Sequence, residues 1–371
     1  MAGAALLPDE TRRVAVLRAL RGLGDMLCAV PALRALRTAL PDAEITLVGL
    51  PSAAEFARRF SAYVDVFAPV SGFPAIYDRE SCVEELPAFL ADMHARHFDL
   101  ALQMHGSGIV SNPLAALLGA RRLGGFYLPG QWLPDPDLFA PYPADLPEPR
   151  RWLELAAHLG MPADDERLEF PLAEDDRAAA AALVESHDLA PGRYAIVHPG
   201  AEDPRRRWPT ERFAIVADTL ALRGFTVLLT GLEEERSVVE AVAAGMSSAP
   251  VVLTGRTDLG ALAALVEGAR LVVSNDTGTS HLADALQRPS VVLYTGASNH
   301  QRWAPIDDRL HRRCGPPPEA APGGCGLPVN ERCLRDGCTV GDHEFEPYFA
   351  PTAEVLGQID QLLAEEAVHV A

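Results

Sequence analysis

Along the first hundred residues, short runs of aliphatic and β-branched residues alternate with longer stretches whose apolar positions recur every three or four residues. The first pattern is that of strands buried on both faces, the second that of helices laid against them. It predicts strands at Arg13–Leu17, Glu44–Val48, Val64–Phe67 and Phe98–Gln103, with helices at Met26–Leu40, Ser52–Phe60 and Cys82–His97. Pro31 inside the first helix predicts a kink or a late start, because proline lacks the N–H that the helical ladder needs. From Leu128 to Pro149 the rhythm gives way to Pro-rich sequence, followed by a helix at Arg150–Leu159 and a charged stretch around Ala163–Arg177. The alternation then resumes, with strands at Tyr194–Val197, Thr226–Leu229, Val251–Leu253, Leu271–Val273 and Val291–Tyr294. Helices at Thr210–Arg223, Glu233–Ala244, Asp258–Glu267 and Ser280–Leu286 separate them. A last amphipathic helix, Ala353–Glu366, carries Val355, Ile359, Leu362 and Leu363 along one face.

The pattern is that of two doubly wound, Rossmann-like α/β domains in tandem. We expect them at 1–175 and 190–350, with 351–371 forming a helix that packs back on the core. A chain of 371 residues is too long for one ordinary domain, and a 48% hydrophobic content supplies two cores. The formal charge of −19 argues against broad adhesion to nucleic acid or to an anionic membrane. All 32 basic Lys/Arg positions are Arg, so a phosphate contact here is made by a guanidinium fork or by backbone amides. Met1–Pro8 is short for a secretory signal, and no apolar stretch approaches the roughly 20 residues that cross a bilayer, so a cytoplasmic protein is expected. Four cysteines fall late, at Cys314, Cys325, Cys333 and Cys338, without the paired C-x-x-C steps of a zinc ribbon; free thiols are the preferred reading and no metal site is expected.

Candidate chemistry lies at strand ends, where doubly wound sheets bind ligands. The segment "SNDTGTSH" joins a strand to a helix through Asp276, Thr277 and Gly278, with His281 in the first turn. Such a join is ordinary helix punctuation, and it is also an anion site, because unpaired N–H groups and the positive end of the dipole face outward. In "HPGAEDPRRRWP", His198 and Gly200 close a strand and Arg205, Arg206 and Arg207 precede a Trp-Pro helix entry. Three adjacent arginines are either solvated surface or a clamp for a diphosphate. Glu233, Glu234 and Glu235 either hold ribose hydroxyls or place favourable charge at a helix start. Near the N-terminus, Gly22-Leu23-Gly24-Asp25 begins like a dinucleotide fingerprint, but Leu27 replaces the third Gly and Glu44 opens its strand instead of closing it, which disfavours hydride transfer. Asp25 then either caps its helix or acts as a general base.

Taken in order, "LGDMLCAVPALRALRTALPDAEITLV", "VHPGAEDPRRRWPTERFAIVADTL", "GRTDLGALAALVEGARLVVSNDTGTSHLADAL" and the closing W-x-P at Trp303–Pro305 resemble glycosyltransferase family 9 over nearly the full chain. The resemblance implies a GT-B fold, two Rossmann-like domains facing a central cleft, and an inverting transfer without an obligatory metal or cofactor. By the same resemblance the donor is a nucleotide-sugar such as ADP-heptose and the acceptor is a glycan or glycolipid such as lipopolysaccharide inner core. Asp25, beside Gly24, would be the base. Thr277 and Gly278 would bind the diphosphate, with Asp276 and His281 ordering the loop or touching the sugar. Glu235, or else Glu234, would hold the ribose, and His198 and Gly200 would also bind substrate. Arg206 stands where the family usually has a Lys, and would neutralise the leaving ADP. Arg18, Arg21, Arg58, Arg59, Arg121 and Arg122 are either a basic lining for an acidic acceptor or scattered surface charge. A monomer is expected, with peripheral contact at the inner face of the cytoplasmic membrane following from such an acceptor. A sugar-nucleotide epimerase of the same fold and a non-catalytic nucleotide-sugar binding protein are the competing readings.

Overall fold

The computed structural model describes residues 10–74, 76, 82–316 and 348–369. The chain divides into two compact units, Met1–Arg167 and Leu168–Ala371.

In the first unit six strands form one sheet: β1 (Arg13–Leu17), β2 (Glu44–Gly49), β3 (Val66–Pro69), β4 (Leu100–Gln103), β5 (Arg122–Tyr127) and β6 (Phe139–Pro141). Their order is β3-β2-β1-β4-β5-β6 and every pairing is parallel. Val14, Ala15, Val16 and Leu17 are wholly buried, as expected of a central strand covered on both faces. The helix expected at Met26–Leu40 is instead two, α1 (Leu23–Leu27) and α2 (Val30–Ala39). Pro31 lies in the first turn of α2, where its missing N–H costs no hydrogen bond. Two further helices, α3 (Ala54–Arg59) and α4 (Leu86–Ala95), follow the expected rhythm.

The next helix, α5 (Ser111–Leu117), and strands β5 and β6 carry no periodic signal in the sequence. Two glycines interrupt β5 for a steric reason: a Cβ on Gly125 would stand 2.8 Å from Gln103 Oε1, and one on Gly124 would stand 3.1 Å from the Leu138 carbonyl. The Pro-rich segment still supplies β6 because that strand is three residues long and lies at the sheet edge, ending at Pro141. Helix α6 (Glu148–His158) closes the unit and buries Trp152.

The second unit repeats the topology. Strands β7 (Tyr194–His198), β8 (Thr226–Leu229), β9 (Val251–Val252), β10 (Leu271–Asn275), β11 (Ser290–Leu293) and β12 (His311–Cys314) lie in the order β12-β11-β10-β7-β8-β9, all parallel. Read from its own first strand, this is the order of the first sheet. Around it lie α7 (Glu174–Ser186), α8 (Thr210–Leu222), α9 (Arg236–Gly245), α10 (Leu259–Gly268), α11 (Gly278–Ala285) and α12 (His300–Trp303). The charged stretch around Ala163–Arg177 ends in the first turn of α7, where Asp176 accepts from the Ala173 amide at 2.8 Å. Glu174, Asp175 and Asp176 are thus a helix start, while Asp165 and Glu166 before it pair with arginines.

Trp208 centres the second core, edge-on to Phe213 and donating its indole N–H to the Ala350 carbonyl at 3.0 Å. The C-terminal helix Thr352–His369 joins that core through Val355, Ile359 and Leu362. Full burial of each such side chain is worth roughly 1.5–3 kcal/mol. Cys314 is buried, which pushes its thiol up to about 12, with Glu354 adding to the effect. Cys325, Cys333 and Cys338 lie outside the described residues. Among the described residues no helix is long and apolar enough to cross a membrane.

Candidate active site

In each sheet the chain reverses its direction of travel at one place, between β1 and β4 in the first and between β7 and β10 in the second. Loops leaving the carboxyl ends of such a strand pair diverge and open a crevice. The candidate residues of the second unit lie around its crevice.

At the end of β10, Asn275 is buried and acts as a clasp. Its Oδ1 accepts from the Trp208 amide at 3.0 Å, while Nδ2 donates to the carbonyls of Pro199 and Gly200 at 2.8 and 3.2 Å. One side chain thereby fixes the β7–α8 loop against the β10–α11 join. Thr277 is the extended N-cap of α11, and its buried Oγ1 has no hydrogen-bond partner among the described residues. Ser280 Oγ donates to the Thr277 carbonyl at 2.7 Å, which ties the join to the first turn. The first-turn N–H groups of α11 have no intrahelical acceptor, as at any helix start. His281 is buried on this helix, edge-on to Trp303 at 6.2 Å.

Arg206 reaches this join from the preceding loop. Its Nη2 lies 2.8 Å from Asp276 Oδ2 and also donates to the Asp276 carbonyl. The Asp276 side chain is 2% exposed and that of Arg206 32%, so the arginine side chain runs between a buried carboxylate and solvent. Arg206 Nε has no hydrogen-bond partner among the described residues. Its backbone is held in turn: Asp203 caps the short turn Pro204–Arg206 by accepting from the Arg205 amide at 2.9 Å, and Thr295 Oγ1 donates to the Arg205 carbonyl at 2.9 Å. Arg205 pairs with Asp203 and Arg207 with the Ala201 carbonyl. Of the three arginines, Arg206 alone meets Asp276 among the described contacts.

His198, Gly200 and Glu235 form a second group. The His198 ring is bonded through Nδ1 to Thr230 Oγ1 at 3.0 Å, and its Nε2 stands 3.7 Å from Glu235 Oε2. Burial lowers the His198 pKa below the usual histidine value, against the opposing pull of Glu235, so the ring is neutral. Glu235 accepts from the Leu232 amide at 2.8 Å, and its carboxylate lies over Gly200. Glu233 is turned away and paired with Arg236, and Glu234 is exposed.

In the first unit, Asp25 is the third residue of α1, and its Oδ2 accepts from the Gly22 amide at 3.2 Å. This is the capping bond expected of an acidic residue there, and it also fixes the carboxylate's direction. Gly24 is buried beside it. The Asp25 carbonyl accepts from Arg18 Nε at 3.0 Å and from Nη2, and Arg18 Nη1 donates to the Met104 carbonyl at 2.8 Å. Arg18 is wholly buried, over the Trp152 ring at 4.9 Å and 3.6 Å from Glu148.

The arginines considered as a basic lining for an acidic acceptor differ in their placement, and Arg21 is exposed. Arg18 is internal, Arg58 and Arg59 pair with Glu55, Arg121 with Asp99 and Arg122 with Asp135. The structure adds two residues that the sequence reading missed. Tyr294, following β11, and Ser298 have buried hydroxyls without hydrogen-bond partners among the described residues. Burial, followed by the charge of Asp276, raises the Tyr294 pKa well above normal. Their signal was position alone: they follow the strand next to β10.

Two parallel six-stranded sheets of repeated topology, with Arg206 and the start of α11 at the switch point of the second, have the GT-B architecture. The family model for glycosyltransferase family 9 (heptosyltransferase) matches residues 90–321, and the chain belongs to that family. It is similar to lipopolysaccharide heptosyltransferase 3 of Escherichia coli strain K12, 24% identical over 299 residues that cover 77% of this chain and 83% of that one. In structure it is similar to the glycosyl transferase family 9 protein of Veillonella parvula DSM 2008, with TM-score 0.76 and 22% identity over 95% and 98% of the two chains. The E. coli ADP-heptose lps heptosyltransferase II structure matches with TM-score 0.67 and 20% identity over 96% and 99%. The protein is a glycosyltransferase, which sets aside the epimerase and binding-module readings.

Proposed function

We propose that this protein transfers a heptose from ADP-heptose to a hydroxyl of a lipopolysaccharide inner-core glycan, with inversion at the anomeric carbon. Its family membership and the names of its relatives support the substrate pair. The single observation that carries the donor half is Arg206 set on Asp276 at the start of α11. In this reading the first domain, 1–175, receives the acceptor, the second, 190–350, holds the nucleotide-sugar, and the helix of 351–371 supports it. The enzyme works as a monomer on the cytoplasmic side, at the membrane face where its acceptor resides.

Asp25 takes the proton of the acceptor hydroxyl as that oxygen attacks the anomeric carbon from the side opposite the diphosphate. The new glycosidic C–O bond forms while the bond from C1 to the phosphate oxygen breaks, and its electron pair leaves with ADP. Negative charge then grows where the Arg206 guanidinium and the first N–H groups of α11, at Thr277 and Gly278, are already oriented, so little reorganisation is needed. Glu235 accepts from the ribose hydroxyls, held in place by the Leu232 amide, and neutral His198 supports it without competing for the diphosphate.

The test is ADP release from ADP-heptose with and without a lipid-free inner-core oligosaccharide. The parent protein is expected to release ADP only with the acceptor. Asp25→Ala is expected to lose roughly 10²–10⁴-fold in turnover, the usual contribution of a general base, with ADP affinity unchanged. Turnover at the parent rate would leave Asp25 a helix cap and nothing more.

A further inference from the structure

A small cavity of about 70 Å³ opens at the carboxyl ends of β4 and β5 in the first unit, lined chiefly by Ser107, Asn112, Tyr127, Leu128, Gln131 and Trp132. We infer that it is a subsite for an uncharged pyranose of the acceptor glycan, with Trp132 against the sugar ring. The inference rests on the transferase reading above and names the kind of sugar that the first unit receives.

Two observations carry it. Trp132 is 53% exposed, a large amphipathic ring on the surface of the same cavity. Aromatic faces of this kind pack on the apolar C–H face of a pyranose while the rim hydroxyls find polar partners. Finally, none of the lining residues carries a carboxylate, a guanidinium or an imidazole. The nearby arginines Arg121 and Arg122 are committed to Asp99 and Asp135, so the pocket offers nothing to neutralise an acidic sugar or a phosphate.

The walls are built before any ligand arrives. Leu128-Pro129-Gly130-Gln131 is a type II turn, with proline second, Gly130 third at φ +82°, and the Gln131 amide donating to the Leu128 carbonyl at 2.9 Å. It presents Gln131 and Trp132 to the loop after β4. On the other side Gln103 braces that loop, donating to Ser111 Oγ at 2.7 Å while its Oε1 accepts from the Phe126 amide at 3.2 Å. Gly108, at φ +92°, lies where a Cβ would overlap the Asn112 amide. The cavity has room for a hydroxymethyl arm or a ring edge, and the remainder of the sugar lies over Trp132.

Saturation-transfer NMR on the full-length protein tests this, with methyl α-mannopyranoside as the neutral probe and methyl glucuronopyranoside as its acidic counterpart. We expect transfer to the neutral glycoside alone, reduced at least fivefold in Trp132→Ala, whose exposed position leaves folding intact, with ADP affinity within twofold of the parent. Equal signal in Trp132→Ala, or signal from the acidic glycoside only, overturns the inference. The readout needs no turnover: Trp132-dependent sugar binding without ADP release faults the transferase reading alone. Transfer with an acceptor KM unchanged by Trp132→Ala faults this one alone.

Discussion

Gly200 and Glu235 share one space: a Cβ at position 200 would overlap the carboxylate of Glu235. Residues 35 apart in sequence thus depend on each other, and the glycine acts by leaving room for the acid. The overlap is with the far end of a flexible side chain, so Gly200→Ala is expected to move Glu235 at little cost in folding. The expected result is about tenfold weaker ADP binding, close to 1.4 kcal/mol, with a melting temperature near the parent's. Isothermal titration with ADP checks it, and unchanged affinity would remove Glu235 from the ribose site.

Arg206 should matter in the transition state more than in binding, because negative charge on the diphosphate grows as the glycosidic bond breaks. Arg206→Ala is expected to lower kcat by roughly 10²–10³, the range for loss of one preorganised donor at a developing anion. Arg206→Lys should recover part of this, since it keeps the charge but loses the fork that meets Asp276. Steady-state kinetics with the donor varied separates the two effects.

Glu148 is the counter-charge for two buried guanidiniums, Arg18 at 3.6 Å and Arg151 at 3.7 Å, and it also accepts from the Trp152 indole at 2.9 Å. Removing one partner of a buried pair leaves uncompensated charge, so Glu148→Ala is expected to destabilise the first unit by about 3–5 kcal/mol. Urea unfolding followed by tryptophan fluorescence measures it. Since Arg18 also holds the Asp25 carbonyl, the same change should lower turnover before it alters ADP affinity.

His198 predicts a pH dependence. Its pKa in the fold lies below the ordinary value of about 6.5, so between the two values the unfolded chain binds more protons. The stability it contributes is therefore present above about pH 6.5 and is lost as the pH falls through the lowered pKa. Urea midpoints should drop between pH 7.5 and pH 5, and His198→Gln should flatten that slope relative to the parent.

Much of the fold can be read from the chain because strands buried on both faces must be apolar along their length, and β1, β7 and β10 are. The reading fails where packing overrides local pattern. Strand β5 contains paired glycines that only its neighbours explain, and β6 lies in a Pro-rich segment that sequence alone reads as a break. The site divides in the same way. The join from Asp276 to Gly278 is visible as a helix start, whereas Arg18 reads as a surface charge and proves to be wholly buried.

By itself the sequence determined the alternation of strands and helices, the two-part organisation and the family, since each rests on local periodicity or on short ordered motifs. Only the tertiary structure decided that Arg206 of three neighbouring arginines meets Asp276, that Asn275 clasps the loop after β7, and that Trp132 shares a cavity with the loop after β4. Those relations join residues far apart in the chain. Strand order brings them together, and no local pattern of polar and apolar residues encodes a distance.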